Sequence, residues 1–353
     1  TRPFLRTTEF LWQEGHTVHA TKEDAAAETL RALRMYEEFD RSVMALPVMT
    51  GRKSAKETFA GADYTLSTEA LARDGKAIQA GTSHLLGQTF AKAFNIQFQD
   101  ENSQMQYAWQ TSWGVSTRLI GTLIVCHGDD KGLRLPPRLA PYQVVLIPIL
   151  KGDDSSALLD KLYSIKAGLE ARGVRVFLDA RDKTPGWKFN EWEVKGVPVR
   201  LELGPRDLAE GQVVLARRDT SEKWSTAIDG LEDSIPALLD EIQANMLKDA
   251  ENFLAENTRE ASTVTELIHL LDEKGGFIRA PWGGDAGRSK RRVRQAGPEQ
   301  DSPDRRWRLP GDAGLRDRRQ RLSAEPVLVR EGGIRLLKWK RHPTSDLRLQ
   351  RQA

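Results

Sequence analysis

The sequence predicts a mixed α and β protein with at least two domains. Its 353 residues are enough for two or three domains. The first 140 residues mix apolar strands, glycine-punctuated loops and short helices. Residues 143–217 alternate strands with helices, which is typical of a small α/β domain.

The elements of the first region follow from local signals. Residues 1–20 read as a strand that runs into a turn, because aromatic and β-branched residues dominate them. Thr21 is a good helix N-cap, acidic residues follow it, and apolar residues then recur every three or four positions. The further elements that we expect are a helix over 22–44, strands and loops over 50–83, a short helix from His84 to Phe94, a strand from Tyr107 to Trp113, a turn at Gly114 and a helix to about His127.

The second region has a different pattern, in which strands alternate with helices. Buried strands are apolar throughout, and the helices between them have one apolar face. We expect strands over 143–148, 174–178, 198–203 and 212–217, helices around 158–169 and 187–195, and a long helical stretch over 224–273 that is broken near Pro236 and Thr258.

Composition excludes several classes of protein. No run approaches the roughly 20 apolar residues that a membrane-spanning helix needs. No basic and then apolar segment at the N-terminus resembles a secretion signal. Cys126 is the only cysteine, so neither an internal disulfide nor a multi-cysteine metal site is possible. We therefore expect a cytoplasmic protein.

The charge is unevenly distributed. Residues 286–353 carry 19 Lys or Arg against 8 Asp or Glu, a net charge of +11, whereas residues 1–285 carry −8. The segment shows little periodicity and much Arg, Pro and Gly, so we expect it to be disordered. A basic tail is typical of nucleic-acid binding, but it can also be the product of a shifted reading frame.

Three polar clusters in the first region are candidates for a binding site. The opening segment, read with a period of two, puts Arg6, Phe10, Trp12 and Glu14 on one face. The second cluster is residues 78–84 and the third is residues 111–118, at a helix start. Arg118 there would add a planar guanidinium to free backbone N–H groups, an arrangement that suits phosphate. Arg6 is a candidate second cation, and two arginines in one cleft suit a polyphosphate.

Each of these residues also has a plainer interpretation. Arg118 can be a surface or salt-bridged arginine, and His84 can cap a helix or be a satisfied core histidine. Trp12 and Trp113 can simply pack in the core. From the residues alone, the sequence predicts an α/β cytosolic protein with an anion-binding cleft and goes no further.

Four long segments carry a resemblance that is more specific. RPFLRTTEFLWQEGHTVHAT (2–21) resembles the second half of motif 2 of class II prolyl-tRNA synthetases of the archaeal and eukaryotic-like type. IQAGTSHLLGQTFAKAF (78–94) resembles the family's proline- and ATP-contacting segment. QTSWGVSTRLIGTLIVCHGDDKGLRLPPRLAP (110–141) resembles motif 3, and GVRVFLDARDKTPGWKFNEWEVKGVPVRLELGPRD (173–207) resembles the anticodon-binding domain.

The resemblance implies a fold and an organisation into domains. The fold is an α+β catalytic core, an antiparallel sheet with flanking helices, followed by a small α/β anticodon-binding domain and a helical or irregular C-terminal region. The implied boundaries are 1–140 for part of the catalytic domain, 141–222 for the anticodon-binding domain, 223–285 for a helical part, and 286–353 for the Arg-rich tail.

The resemblance also implies an activity, proline–tRNA ligase. Proline's carboxylate attacks the α-phosphate of ATP to give prolyl-adenylate, and the prolyl group then passes to tRNA. Positioning and charge stabilisation dominate such chemistry, with Mg²⁺ on the phosphates. The implied ligands and partners are ATP, Mg²⁺, L-proline, a proline-specific tRNA and a second copy of the complete protein.

By motif position, the resemblance implies roles for ten residues. Those expected to contact ATP are Arg6, Thr7, Gln79, Thr82, Ser116 and Arg118. Those expected to bind proline are His84, Phe10, Trp12 and Trp113.

The resemblance fails at both ends of the chain. Motif 1 and the first strand of motif 2 would lie upstream of Thr1, so we expect a fragment that is inactive alone. Near Gly283 the family would place the first cysteine of a zinc site, but no cysteine follows Cys126. We therefore expect no zinc, and a shifted frame after Asp285 that the other two frames of the coding DNA would test.

Two other functions are open at this point. One is a non-catalytic, synthetase-like protein that binds tRNA or has a regulatory role. The other is a free-standing hydrolase of mischarged tRNA, which would need an inserted domain that the span from motif 2 to motif 3 lacks. Proline-dependent adenylate formation separates the ligase from both.

Overall fold

The structure is a computed structural model that describes residues 2–150, 156–281, 326–330 and 333–338. The predicted α+β fold is found in the first region. Its strands are β1 (Trp12–His19), β2 (Met49–Arg52), β3 (Tyr64–Leu71), β4 (Ala77–Gly87), β5 (Gln97–Gln99), β6 (Met105–Tyr107) and β7 (Trp109–Ser116). Its helices are α1 (Lys22–Ser42), α2 (Thr89–Ala93) and α3 (Arg118–His127).

The core of this region is an antiparallel sheet in the order β1-β7-β4-β3-β2. Helix α1 covers one face of the sheet. It begins as predicted, with the Thr21 side chain accepting a hydrogen bond from the backbone N–H of Asp24 (3.2 Å). On the covered face, the Ser83 hydroxyl of β4 donates to the Thr29 carbonyl of α1 (2.8 Å). A cavity opens on the opposite face of the sheet.

A β-bulge in β4 changes which side chains reach that opposite face. Ser67 pairs with Thr82, but Glu69 pairs with Gln79, so β4 has one extra residue between these two pairs. Strict alternation would put Gln79 on the α1 side together with Gly81. The extra residue turns Gln79 to the side that carries Thr82, which is the usual effect of a bulge next to a site.

The second region is a five-stranded sheet in the order β12-β11-β10-β8-β9. Its strands are β8 (Val144–Pro148), β9 (Val176–Leu178), β10 (Val199–Leu203), β11 (Gln212–Arg217) and β12 (Lys223–Ala227). Its helices are α4 (Ser156–Ala171), α5 (Pro185–Val194) and α6 (Pro205–Ala209). All five residues of β8 are buried, because this central strand contributes to the apolar clusters on both faces.

The C-terminal region joins the two sheets. It contains α7 (Leu231–Glu256), β13 (Thr258–Glu260), α8 (Val264–Lys274), β14 (Phe277–Pro281), β15 (Pro326–Arg330) and β16 (Gly333–Lys338). Helix α7 packs Ile235 and Leu239 into the second core, and its Gln243 amide donates to the Ser42 carbonyl at the end of α1 (3.0 Å). Strands β13 to β16 extend the first sheet beyond β2.

An ion pair holds the two regions together. The Arg218 guanidinium, which follows β11, donates to both carboxylate oxygens of Asp129, which follows α3 (2.8 and 2.6 Å). The Arg218 side chain also donates to the Glu193 carbonyl at the end of α5 (3.1 Å). Arg218 lowers the pKa of Asp129 to about 2.

Several predicted elements are corrected by the structure. The opening strand begins only at Trp12, and residues 2–11 form turns, so Phe4 to Phe10 share no strand face. His84 lies in strand β4, not at a helix start, and only residues 89–93 of the predicted helix are helical. Gly114 lies within β7 and makes no turn.

Further corrections concern the C-terminal half. Residues 223–227 form strand β12 instead of a helix, and α7 continues through Pro236. Two strands, β15 and β16, occur in the tail that was predicted to be disordered. The rest of that tail, and the position near Gly283 where a cysteine was expected, lie outside the described residues.

No helix in the described part of the chain combines the length and apolar character of a membrane span.

Candidate active site

A cavity of about 830 Å³ opens on the face of the first sheet opposite α1. All ten predicted site residues border it: Arg6, Thr7, Phe10, Trp12, Gln79, Thr82, His84, Trp113, Ser116 and Arg118. They come from three segments that are far apart in the sequence. The pairing of β1, β7 and β4 brings these segments side by side.

The strand register determines which side chains meet in the cavity. His16 of β1, Ser112 of β7, His84 of β4 and Thr65 of β3 form one row across four strands. Because side chains of directly opposed residues lie on the same face, every member of the row faces the cavity. All four residues border it.

His84 lies in this row between Ser112 and Thr65. Its Nδ1 is hydrogen-bonded to the Thr65 hydroxyl (2.8 Å), which also accepts from the Phe59 backbone N–H (3.0 Å). The Phe59 ring packs against the imidazole at 5.0 Å between centroids. Burial, and then the nearby Lys53 ammonium, lower the pKa of His84 to about 4. At neutral pH the imidazole is therefore uncharged.

Arg118 borders the cavity and contacts two of the segments that line it. It begins α3, and its backbone N–H donates to the Ser116 hydroxyl (3.3 Å). Its Nε donates to the Leu5 carbonyl (3.1 Å), so it anchors the segment that carries Arg6 and Thr7. The first turn of α3 offers backbone N–H groups at the same place, and such a helix start attracts anions.

Two aromatic residues form an exposed wall. Phe10 and Trp12 pack edge to face at 6.0 Å between centroids, and 52% and 62% of their surfaces are exposed. Together they give this side of the cavity an apolar surface.

Trp113 differs from the other nine predicted residues. It pairs with Gly15 on one side and Ser83 on the other, and the Ser83 side chain reaches α1. The alternation of β7 therefore puts the indole ring on the α1 side, beneath the cavity floor. We now propose a supporting role for Trp113 rather than contact with proline.

Comparisons with known proteins identify the same two regions. Residues 1–127 match the family model described as the tRNA synthetase class II core domain (G, H, P, S and T). Residues 143–238 match the model described as the anticodon binding domain. The first match ends with α3, and the second covers the five-stranded sheet and the start of α7.

Individual relatives are more specific. The chain is 56% identical over 285 residues to a proline–tRNA ligase of Clostridium novyi, covering 81% of this chain and 59% of that protein. It is 54% identical over 286 residues to the ligase of Natranaerobius thermophilus, with the same coverage. The crystal structure of prolyl-tRNA synthetase from Cryptosporidium parvum, complexed with L-proline and AMP, superimposes with a TM-score of 0.79 at 43% identity, covering 82% of this chain and 62% of that one.

The chain belongs to the prolyl-tRNA synthetase family. This confirms the predicted family and fold class. The chain spans 59% of the length of these curated prolyl-tRNA synthetases.

Sequence reasoning missed one wall of the prolyl-tRNA synthetase cavity. Lys53, Glu57, Phe59 and Thr65, from the end of β2 to the start of β3, all border it. They carry no motif, and they reach the cavity because β3, which carries Thr65, pairs with β4 and because the Lys53 backbone N–H donates to the Thr65 carbonyl. Glu14 and Ser112 lie in two of the candidate clusters but were given no role, and His16 was missed although the period-two pattern of residues 12–16 was visible in the sequence.

Proposed function

We propose that the protein is a proline–tRNA ligase, which activates L-proline with ATP and transfers it to tRNA. One observation carries the proposal: a single cavity is bordered both by residues that suit a nucleotide and by residues that suit a small apolar amino acid. The solved neighbour of this chain was crystallised with L-proline and AMP, which supports the same pair of ligands.

The nucleotide side of the cavity would bind ATP. Arg118 and Arg6 supply positive charge, and the start of α3 supplies backbone donors for phosphate oxygens. Gln79, Thr82, Ser116 and Thr7 supply uncharged hydrogen-bonding groups around them. Together these residues would hold the α-phosphate in line for attack and offset the charge of the leaving pyrophosphate.

The other side would bind proline. The neutral His84 imidazole, held by Thr65, offers a hydrogen bond beside the apolar ring of Phe59. Phe10 and Trp12 would close over the pyrrolidine ring. In the activation step a carboxylate oxygen of proline forms a bond to the α-phosphorus of ATP. The bond from that phosphorus to the α,β-bridging oxygen breaks, and pyrophosphate leaves with the electron pair.

As part of the same proposal, Mg²⁺ would bind mainly through the phosphates of ATP, because the described residues hold no cluster of three or more His, Cys, Asp or Glu side chains that could bind a metal ion. It prefers oxygen ligands and often binds through one or two carboxylates plus substrate phosphates. Glu14 and Glu57 are the carboxylates that border the described cavity. When bound, Mg²⁺ would neutralise charge on the phosphates of ATP.

The second region would bind the tRNA, since it matches an anticodon-binding domain. As part of the same proposal, the complete protein forms a homodimer and acts in the cytoplasm, where translation takes place.

ATP–pyrophosphate exchange tests the proposal, with each amino acid in turn, on the chain extended by the coding sequence upstream of Thr1. We expect exchange with proline alone, and a loss of about 100-fold in His84→Ala. His269→Ala is the matched control, because this histidine is exposed on α8, pairs with Glu273 on its own helix (3.4 Å) and does not border the described cavity. A folded protein that binds tRNA but exchanges with no amino acid would refute the ligase and favour a non-catalytic, synthetase-like protein.

A further inference from the structure

Thr65 carries a buried hydroxyl that contacts His84, a residue proposed to bind proline. It lies on β3, directly opposite His84 of β4, and only 1% of its surface is exposed. Its hydroxyl makes two hydrogen bonds, one with Nδ1 of His84 (2.8 Å) and one from the Phe59 backbone N–H (3.0 Å). The directions of these two bonds decide which ring nitrogen of His84 carries the proton.

The bond from Phe59 determines the direction of the other bond. A backbone N–H can only donate, so the Thr65 oxygen is the acceptor in that contact. The hydroxyl keeps its own proton, and a buried donor that is left without an acceptor is unfavourable. Among the described residues, Nδ1 of His84 is the acceptor that the structure offers to this proton. The Thr65 hydroxyl therefore donates to Nδ1, which is the ring nitrogen without a proton.

The other ring nitrogen of His84 then carries the proton. The pKa of His84, about 4, leaves the imidazole uncharged at neutral pH, and an uncharged imidazole has a single N–H group. With Nδ1 as the acceptor, that group is at Nε2. His84 borders the cavity, and no described residue is hydrogen-bonded to its Nε2. Nε2 is therefore the nitrogen available to a ligand, and it is a donor.

The two polar groups of proline differ in what they can pair with. The carboxylate only accepts hydrogen bonds, and the ammonium only donates them. An Nε2–H group can therefore bind the carboxylate but not the ammonium. The opposite tautomer would turn a lone pair of Nε2 toward the carboxylate, and the two would repel each other. The tautomer of His84 thus determines which group of proline it can hold.

The surrounding residues hold both hydrogen-bonding partners in place. Thr65 is β-branched and has few rotamers, and its carbonyl accepts from the Lys53 backbone N–H (2.8 Å). The Phe59 ring packs against the imidazole at 5.0 Å between centroids, and Phe90 packs against that ring at 6.4 Å. A flip of the imidazole would break the bond between Nδ1 and Thr65. This contact therefore selects one orientation of His84 as well as one tautomer.

We propose that Thr65 is a positioning residue for proline binding, whose hydroxyl holds His84 in the Nε2–H tautomer so that His84 donates a hydrogen bond to the proline carboxylate. The inference rests on the proposed function. Thr65 transfers no proton and acts only through His84. Loss of the Thr65 hydroxyl should therefore weaken the binding of proline and leave the binding of ATP unchanged.

The first test compares Thr65→Val with Thr68→Val in the chain extended upstream of Thr1. Both are buried threonines of β3, but the Thr68 hydroxyl donates to Asp40 of α1 (2.9 Å) and Thr68 does not border the described cavity. We expect Thr65→Val to raise the KM for proline in ATP–pyrophosphate exchange by about tenfold and to leave the KM for ATP within roughly threefold. Thr68→Val should leave both KM values within roughly threefold.

Two further variants guard against a loss of folding. Thr65→Ser keeps the hydroxyl and should restore the wild-type KM for proline. Thr65→Ala replaces Thr65→Val if valine disturbs the fold, which thermal unfolding will show. A Thr65→Ser enzyme with the same raised KM as Thr65→Val would overturn the inference, because the hydroxyl would then not be the group that matters.

A double variant tests whether Thr65 acts through His84. If it does, Thr65→Val/His84→Ala and His84→Ala should have the same KM for proline within about threefold. A further increase of about tenfold in the double variant would overturn the inference, since Thr65 would then affect proline by another route.

The tautomer can also be observed directly by NMR. In protein labelled with ¹⁵N in its histidines, protonated and unprotonated ring nitrogens have different chemical shifts, and comparison with His84→Ala identifies the signals of His84. At neutral pH we expect Nε2 to be protonated in the wild-type protein and both tautomers to be present in Thr65→Val. A protonated Nδ1 in the wild-type protein would overturn the inference whatever the kinetics show.

The remaining outcomes are also distinct. A Thr65→Val enzyme whose KM for proline stays within roughly threefold of that of Thr68→Val would overturn the inference while leaving the ligase in place. An equal rise in the KM values for proline and ATP would also overturn it, because that result indicates a general disturbance of the cavity. A wild-type protein with no proline-dependent exchange would instead refute the proposed function itself.

Discussion

We predict that adding a single methyl group at Gly15 of β1 lowers the stability of the protein. An ideal Cβ there would lie 2.2 Å from Cε2 of Trp113 and 2.4 Å from its Cζ2 and Nε1. Ordinary contacts begin near 3.4 Å, so the indole would have to move by about 1.2 Å. The ring cannot move away freely, because it lies on the α1 side of the sheet.

The expected cost of Gly15→Ala follows from this overlap. Overpacking of this kind costs about 1–3 kcal/mol. In a domain of this size each kcal/mol lowers the melting temperature by roughly 2–4 °C. Ser112 and Gly114 flank Trp113 and border the cavity, so a shift of β7 of about 1 Å should also lower proline-dependent exchange by at least about tenfold.

Thermal unfolding of a set of variants provides the assay. Gly186→Ala is the control, because no atom lies within 4 Å of a Cβ at that position in α5 and alanine favours a helix. Trp113→Leu removes the three clashing atoms, so Gly15→Ala should cost close to nothing in that background. The packing argument is wrong if Gly15→Ala lowers the melting temperature as much in the Trp113→Leu background as in the wild-type protein. It is also wrong if Gly15→Ala and Gly186→Ala have the same melting temperature.

Two further predictions concern buried charge. Burial raises the pKa of Asp40 to about 7, so wild-type stability falls as the pH rises through 7. Asp40→Asn should therefore be more stable than wild type by about 2–4 kcal/mol at pH 8 and equal to it near pH 4, as measured by denaturant unfolding; a pH-independent difference would contradict the assignment. Arg218→Ala should destabilise the protein by about 2 kcal/mol and expose residues 128–142 to protease, since it leaves Asp129 without its partner. The control is the exposed ion pair between Arg206 and Glu210. Arg206→Ala should change neither the stability nor the protease sensitivity of residues 128–142.

Local signals were sufficient for the helices and strands that the sequence predicted well. Helix α1 was predicted from its N-cap Thr21 and its apolar stripe, and the structure has both. Strand β8 was predicted from a continuous apolar run, which is what burial on both faces requires. In each case the residues on which the prediction depends lie close together in the sequence.

Glycine is where local reasoning failed. Gly114 was expected to make a turn, but it lies within β7, where a Cβ would approach the Gln13 carbonyl of β1 at 3.1 Å. Gly81 lies within β4, where a Cβ would meet the Tyr36 ring of α1 at 2.9 Å. In both places the small residue allows another part of the fold to come close, and no sequence pattern distinguishes this from a turn.

The site residues were predicted by resemblance, and their arrangement could not be. The motifs marked Gln79, Thr82 and His84 as neighbours in sequence, but simple alternation would send Gln79 to the wrong face of the sheet. The bulge that corrects its direction depends on the pairing between β3 and β4. Lys53 was missed for the same reason, since nothing in its own segment indicates which strand it will face.

Under the proposed function, the bulge also explains how one strand can contact both substrates. His84 and Gln79 are five positions apart on β4, and an unbroken strand would point them to opposite faces. With the extra residue, both side chains enter one cavity, and their strand positions lie roughly 13–17 Å apart at most. The Lys53 ammonium donates a hydrogen bond to Oε1 of Gln79 in the same cavity. Under the proposed function, the pairing of β4 with β3 therefore sets where the carboxylate and the α-phosphate meet, and a change that slips this register should separate the two binding sites.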